Sequence, residues 1–156
     1  MKVLQTKQFT KTKSNMKTLM LMSAITLFVT SACHQQSADE KAINKTIHTF
    51  SKAGDEYDAG LLELTLDTNF RIVMNRLFGS PDVSIMPREV YLEKIRTKEY
   101  GGDSRQVQVE SVNINETTAC ARVRFIGREM TFVSILNLVK DPRGVWKLVS
   151  EMPVPK

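Results

Sequence analysis

Few residues in this sequence have the chemistry and the spacing of an acid–base site. His48 is the only histidine after residue 34, and it lies about 100° around a predicted helix from Ile47, away from the apolar stripe. A catalytic histidine needs a partner that orients it, and the sequence around His48 offers none. A zinc-type site needs several His or Cys ligands at regular spacing, which is not found. We therefore predict no catalytic residue, no metal site and no cofactor.

Hydroxyl and carboxyl groups are the other candidates. Tyr57 and Tyr91 could each place a hydroxyl at the mouth of a pocket, although such tyrosines more often pack their rings and leave the hydroxyl at the surface. Asp55, Asp58 and Asp67 flank a predicted short helix, where capping and solvated turns account for all three. The sequence thus offers no evident acid–base pair.

Cys33 follows a segment that has the order of a secretory leader. Residues 1–17 contain five lysines and no acid, and Leu19–Val29 is an uncharged, mostly apolar run of eleven residues. A membrane-spanning helix needs about 20 apolar residues. A basic start, a short apolar run and small residues at its end therefore indicate a signal peptide over residues 1–32. An ordinary leader also begins at Met16, which we take as an alternative translation start.

Two cleavage patterns fit the end of this leader. The stretch VTSAC, residues 29–33, resembles a bacterial lipobox, in which the cysteine is lipidated and becomes the mature N-terminus. Thr30 stands where such sequences most often have leucine. The resemblance to sorted lipoproteins implies that His34, in place of Asp just after Cys33, favours an outer-membrane lipoprotein facing the periplasm, with residues 33–38 as lipidated cysteine and tether. Thr30 and Ala32 also suit ordinary signal peptidase, which would leave a soluble periplasmic or secreted protein.

The isoelectric point of about 9.3 arises from the leader. Five of the 22 Lys and Arg residues precede Cys33, and all 17 acidic residues follow it, so the chain from Cys33 onward is formally neutral. Nucleic-acid binding needs a net basic surface, and the composition therefore argues against a nucleic-acid partner. Cys120 is the only other cysteine, so we expect the domain to fold without a disulfide.

Residues 39–156 have the pattern of one α+β domain. Ser37 and Glu40 form a capping box, and apolar residues then recur at positions 43, 47 and 50, one face of a helix. Pro87 suits the first turn of a later helix. Three helices are predicted, over residues 38–53, 58–66 and 87–98.

Strands occupy the rest of the domain. One half-buried strand is predicted over residues 70–76, and period-two alternation in the C-terminal third predicts four more. The alternation slips by one residue near Glu110, which indicates a β-bulge. Residues 130–139 are apolar on both sides, as in a central strand, and we expect Pro153 and Pro155 to end the sheet.

The order of these elements resembles the nuclear transport factor 2-like fold. SIMPREVYLEKI is similar to that family's third helix, VESVNINETTACARVRF to its strand pair, and MTFVSILNLVKDPRGVWKLVSEM to its last hairpin. The resemblance covers nearly all of residues 39–152 and is nearest to the lumazine-binding, SnoaL-like group of small bacterial proteins. It implies a cone of three helices packed on a strongly curved, mainly antiparallel sheet, while the fold alone implies no chemistry.

The resemblance also suggests which residues line the cone. Enzymes of this superfamily use inward-facing carboxylate, His or Tyr groups tuned by burial, and Ser134 stands where the subgroup often has an acid. An ordinary core would also explain most of the large apolar residues. The ligand-pocket candidates are Phe70, Met74, Tyr91, Phe125, Met130, Phe132, Ser134 and Trp146.

Three functions follow as hypotheses. The first is non-catalytic binding of a small apolar ligand or a protein partner. The second is proton-transfer catalysis of the lyase or isomerase type, which would need a buried Asp, Glu or His facing a Tyr or Ser. The third is a structural role for the outer sheet face, where Arg122 and Arg124 lie near Val133 and Ile135 and where related folds often dimerise. Without an acid–base pair, binding comes first.

Overall fold

The computed structural model describes residues 36–156. The predicted signal peptide, Cys33 and the first part of the tether lie outside these residues. None of the helices within residues 36–156 has the length and apolar character needed to span a membrane. The elements are α1 (Ala38–Asp55), α2 (Ala59–Thr65), β1 (Leu66–Asn75), a 3₁₀ turn (Leu77–Gly79), β2 (Val83–Pro87), α3 (Arg88–Arg96), β3 (Gln106–Asn115), β4 (Thr118–Ile126), β5 (Thr131–Lys140) and β6 (Trp146–Pro155).

Helix α1 begins where the capping residues predict. The Glu40 backbone N–H donates to Ser37 Oγ over 3.0 Å, which satisfies one of the free donors of the first turn. The apolar stripe of α1 is buried, and the helix runs two residues past its predicted end. In α3, Pro87 is the N-cap and not the first helical residue.

The six strands form one sheet in the order β2-β1-β6-β5-β4-β3. Every neighbouring pair is antiparallel except β1 with β6, which is parallel. Alternate residues of β4 are buried under the helices, whereas Cys120 and Arg122 between them are exposed. The predicted α+β class, with three helices packed on one face of a mainly antiparallel sheet, is confirmed.

Register shifts bend the sheet in three places. In β3 the shift falls between Val109 and Ser111, so the predicted bulge near Glu110 is confirmed. The pairing of β5 with β6 shifts beside Leu138, and that of β1 with β6 shifts after Leu66. Bulges increase local twist and bend a strand, which lets one sheet wrap around the helices.

Two strand predictions were wrong. Strand β2 was not predicted, because only Met86 of its five residues is buried and an exposed edge strand leaves no alternation to detect. Pro153 and Pro155 do not end the sheet, since β6 continues through both and pairs with β5. The pairing of β6 with β1 stops at Glu151, so one edge of β6 is open there and a proline without an N–H is tolerated.

An aromatic cluster occupies the middle of the core. The Phe50 ring centroid lies 6.2 Å from those of Phe70 and Tyr91 and 6.3 Å from that of Phe125. Edge and tilted contacts at such distances stabilise aromatic pairs beyond their burial. The core cluster lies within residues 43–148, and residues 36–156 belong to one compact unit, so we expect that part to fold by itself.

The outer sheet face combines ion pairs with apolar side chains. Glu110 pairs with Arg122 Nε at 2.5 Å and with Arg124 Nη2 at 2.8 Å. Ile85 is 60% exposed and Val154 is 45% exposed on the same side of the sheet. Homodimerisation through this face stays a prediction.

Candidate functional site

A cavity of about 350 Å³ lies between the helices and one end of the sheet. Its walls come from the C-terminal end of α1, from β1 and the turn after it, from α3 and the loop that follows, and from β5 and β6. A volume of this size suits a small organic molecule. The apolar walls include Ile72, Met74, Leu77, Met86, Ile95 and Phe132.

Glu151 supplies a carboxyl group to this apolar cavity. Its residue is 8% exposed, and its Oε1 accepts a hydrogen bond of 2.7 Å from Ser134 Oγ. Burial raises the pKa of Glu151, while the Ser134 hydrogen bond and the charge of Arg105 oppose that rise. Glu151 lines the cavity, and within residues 36–156 its Oε2 has no hydrogen-bond partner. One carboxyl oxygen is therefore positioned by Ser134 and the other is available to a ligand.

Tyr91 supplies a hydroxyl from the opposite wall. It is 6% exposed, and its ring is held by Phe50 and by Phe70, whose centroid lies 5.8 Å away. Burial raises the pKa of Tyr91, and the negative charge of Glu151 adds to that rise. The phenol therefore stays protonated and can donate a hydrogen bond. Its hydroxyl, like Glu151 Oε2, makes no hydrogen bond to the described residues.

Arg105 and Asp55 close one side of the cavity as an ion pair. Arg105 Nε donates to Asp55 Oδ1 over 2.6 Å, and the Arg105 backbone N–H donates to Oδ2 over 3.1 Å. Arg105 Nη2 donates to the Ser51 carbonyl oxygen over 3.0 Å. The guanidinium also lies 5.4 Å from the Phe125 ring centroid, at cation–π distance. These contacts compensate its charge and hold it in place.

The mouth of the cavity has one closely packed side and one exposed side. On the packed side, the Gly102 N–H donates to the Gly54 carbonyl oxygen over 3.4 Å, and a Cβ on Gly101 would lie 2.1 Å from that same oxygen. On the other side, Phe78 is 74% exposed and has a left-handed backbone, with φ 52° and ψ 37°. Such a conformation is unusual for a bulky residue.

Three of the eight pocket candidates line the cavity, namely Met74, Tyr91 and Phe132. Phe70 and Phe125 are buried in the aromatic core behind it. Met74 and Phe132 lie on the helix-facing side of the sheet. They line the cavity because they are at the edge of the core and are only partly buried.

The other three candidates lie elsewhere. Ser134 is fully buried and does not line the cavity, although it positions Glu151. Met130 is 38% exposed in the connection before β5, outside the sheet. Trp146 lies at the opposite end of β6 from Glu151, where its Nε1 donates to Asp39 Oδ1 over 2.9 Å. Met130 and Trp146 therefore do not line this cavity, which occupies only one end of the sheet.

His48 and Tyr57 also lie outside the cavity lining. His48 is exposed on α1 and borders a surface groove with Lys52 and Ser104. Tyr57 packs against the glycine loop, since a Cβ on Gly102 would lie 1.9 Å from its hydroxyl oxygen. No group of three or more His, Cys, Asp or Glu residues within residues 36–156 has an arrangement that could hold a metal ion.

Glu151 was missed because of a change in strand phase. Trp146 and Leu148 point inward, so strict alternation would put Ser150 inside and Glu151 outside. The register shift pairs Leu138 with Leu148 but Asn137 with Ser150, which leaves Val149 as the extra residue and turns Glu151 inward. No pattern within β6 shows this, since the shift is visible only in its pairing with β5.

Replacing Glu151 with Gln should stabilise the domain above neutral pH. The folded state holds the Glu151 proton more tightly than the unfolded state, whose pKa is near 4.5. Wild-type stability from this group is therefore present below about pH 4.5 and is lost as the pH rises through the raised pKa. We expect Glu151→Gln to match the wild type near pH 4 and to have the larger unfolding free energy at pH 8.

Thermal unfolding of both proteins from pH 4 to pH 8 measures this difference. Glu110→Gln is the matched control, because Arg122 lowers the pKa of Glu110 and its replacement should not stabilise the domain at pH 8. A difference between wild type and Glu151→Gln that does not vary with pH would contradict the assignment of a buried carboxyl.

Solved structures share this fold at low sequence identity. An NTF2-like protein of unknown function from Silicibacter pomeroyi is 17% identical with a TM-score of 0.66, over 78% of this chain and 100% of that chain. A second from Shewanella baltica is 16% identical with a TM-score of 0.65, over 78% and 98%. A ketosteroid isomerase-like protein from Erwinia carotovora atroseptica is 12% identical with a TM-score of 0.62, over 77% and 98%. The architecture is thus that of the nuclear transport factor 2-like fold.

The family follows from a sequence-family match. The model of the family described as "Putative lumazine-binding" matches residues 38–152, which covers all three helices and nearly all of the sheet. The chain belongs to this family, within the predicted superfamily. No curated protein sequence matches the chain.

Proposed function

We propose that this domain binds a small, mainly apolar molecule in the cavity between its helices and sheet. The apolar walls supply most of the contact area, and Glu151 and Tyr91 orient the ligand's polar group. The family match and the shared fold are consistent with ligand binding.

One observation carries this proposal. Glu151 and Tyr91 are both more than nine-tenths buried, both line the cavity, and each has an oxygen without a hydrogen bond to the described residues. A ligand in this cavity is therefore offered a carboxyl oxygen and a phenol hydroxyl that the described residues leave unpaired, next to apolar walls.

A neutral fluorescent probe tests the proposal. N-phenyl-1-naphthylamine is added to the domain expressed from residue 35, and its fluorescence should rise saturably to one probe per chain. Met74→Trp places a larger side chain in the cavity and should weaken the apparent affinity at least tenfold. Met130→Trp is the matched control, since Met130 is exposed outside the cavity, and it should bind like the wild type. Equal binding by both variants would exclude this cavity.

Proton-transfer catalysis of the isomerase or lyase type is the second candidate. The sequence analysis required a buried carboxyl near a Tyr or Ser, and Glu151, Ser134 and Tyr91 supply these groups. A carboxyl with a raised pKa can exchange a proton with a bound carbon acid, while the Tyr91 hydroxyl stabilises the developing oxyanion. The neighbour described as ketosteroid isomerase-like makes a ketone a reasonable first substrate.

Deuterium exchange distinguishes catalysis from binding alone. A cyclic enone bound in the cavity is incubated in heavy water, and its mass is followed over time. Catalysis predicts deuterium uptake that Glu151→Gln abolishes while the enone still binds. Binding alone predicts uptake at the uncatalysed rate with both proteins.

Attachment to the cell envelope through a lipid on Cys33 is the proposed location. It is supported by the lipobox-like residues before Cys33 and by the basic, then apolar, segment ahead of them. The intact mass of membrane-fraction protein should show a diacylglyceryl cysteine, and Cys33→Ala should be released as soluble protein. A plain mass beginning at or beyond Cys33, with both forms soluble, would favour ordinary signal cleavage.

A further inference from the structure

The charged groups of the cavity differ in how far they are already paired. Four acidic residues and one basic residue line it. The basic residue is Arg105, whose side chain is bound to Asp55 and to a backbone carbonyl. Of the other acids, Glu99 pairs with Lys94, and Asp103 accepts the Arg128 backbone N–H over 3.2 Å.

An anionic ligand would find no free cation among the residues lining this cavity. An anion that displaced Asp55 from Arg105 Nε would leave this mostly buried carboxylate with an uncompensated charge, and one that bound the remaining Nη donors would meet a guanidinium already neutralised by Asp55. Breaking a buried ion pair costs several kcal/mol. The remaining carboxyl, Glu151, repels the same anion whenever it is ionised, because charges interact strongly in an apolar environment.

A ligand with a hydrogen-bond donor, in contrast, can bind to the carboxyl group of Glu151. Glu151 lines the cavity, its Oε1 is held by Ser134, and its Oε2 has no hydrogen-bond partner among the described residues. An ammonium group close to Glu151 would favour the ionised carboxylate, because an opposite charge lowers a carboxyl pKa. Charge-assisted hydrogen bonds of this kind are roughly twice as strong as neutral ones.

We infer that the cavity selects an apolar molecule whose polar end is an amine, accepts a neutral alcohol less well, and rejects the corresponding carboxylic acid. Glu151 is the specificity-determining residue, with Ser134 holding it in position. The inference rests on the proposed binding function and adds the chemical class of the ligand to it.

Three ligands of equal length test the order of preference. Decylamine, 1-decanol and decanoic acid, each below its micelle-forming concentration, compete with N-phenyl-1-naphthylamine for the domain at pH 7.5. We expect decylamine to displace the probe at a concentration at least tenfold lower than decanoic acid, with 1-decanol between them. Glu151→Gln should bring decylamine to within about threefold of 1-decanol, since a neutral amide lacks the charge. Glu110→Gln, the same change outside the cavity, should keep the wild-type order.

Each outcome decides between the two proposals. Decanoic acid binding as well as or better than decylamine would overturn the inferred ligand class and leave the binding function standing. Displacement by none of the three, while Met74→Trp still blocks the probe, would also overturn the ligand class alone. Failure of the probe itself to bind would overturn the proposed function together with this inference.

Discussion

Replacing Phe50 with alanine is expected to lower the free energy of unfolding by about 3–5 kcal/mol. Phe50 is 1% exposed, and its ring contacts those of Phe70, Tyr91 and Phe125. Alanine would remove the central ring of this cluster. It would leave a cavity between α1 and the sheet that the surrounding side chains cannot close. A loss of this size is a large part of the total stability of a typical domain.

Urea unfolding measures this loss. Phe78→Ala is the matched control, because the same truncation at a 74% exposed side chain should change stability by less than about 0.5 kcal/mol. The Phe50 variant should also bind the fluorescent probe more weakly under folding conditions, since Phe50 supports the Tyr91 ring. A loss below about 1 kcal/mol would show that the aromatic cluster is not the packed centre of the core.

Replacing Gly101 with alanine is expected to lower the free energy of unfolding by about 2–4 kcal/mol and to disturb the mouth of the cavity. Gly101 has φ +101°, and an added Cβ would lie 2.1 Å from the Gly54 carbonyl oxygen. Backbone atoms at the end of α1 cannot move aside as a flexible side chain can, so the loop after α3 must shift. That loop carries Glu99, Tyr100 and Asp103 of the cavity lining.

Gly79→Ala separates the cost of a positive φ from the cost of the steric contact between the added Cβ and α1. Gly79 also has a positive φ, of +83°, but nothing lies within 4 Å of an added Cβ. The free energy of unfolding of Gly79→Ala should therefore fall only by the cost of placing alanine at a positive φ, about 1 kcal/mol. This variant should retain probe binding. Equal losses at Gly79 and Gly101 would show that steric contact with α1 does not hold the loop in place.

Only some residues of the candidate site could be predicted from the sequence. Met74 and Tyr91 could be proposed because each lies in an element whose pattern is local, a half-buried strand and an amphipathic helix. Glu151 could not be proposed, because the face of the sheet on which its side chain lies depends on a register shift between β6 and β5. Ser134 was selected for the acid that it replaces, and the structure shows that it positions an acid on the neighbouring strand.

The sequence by itself determined the α+β class, the start of α1 and the bulge in β3. Each depends on interactions between residues near one another in the chain, namely capping, periodicity and turn chemistry. Only the tertiary structure decided that β2 adds a sixth strand, that β6 continues through two prolines, and that Glu151 and Tyr91 line the same cavity. These features depend on which strands pair and in what register, and pairing free energy comes from residues distant in the sequence.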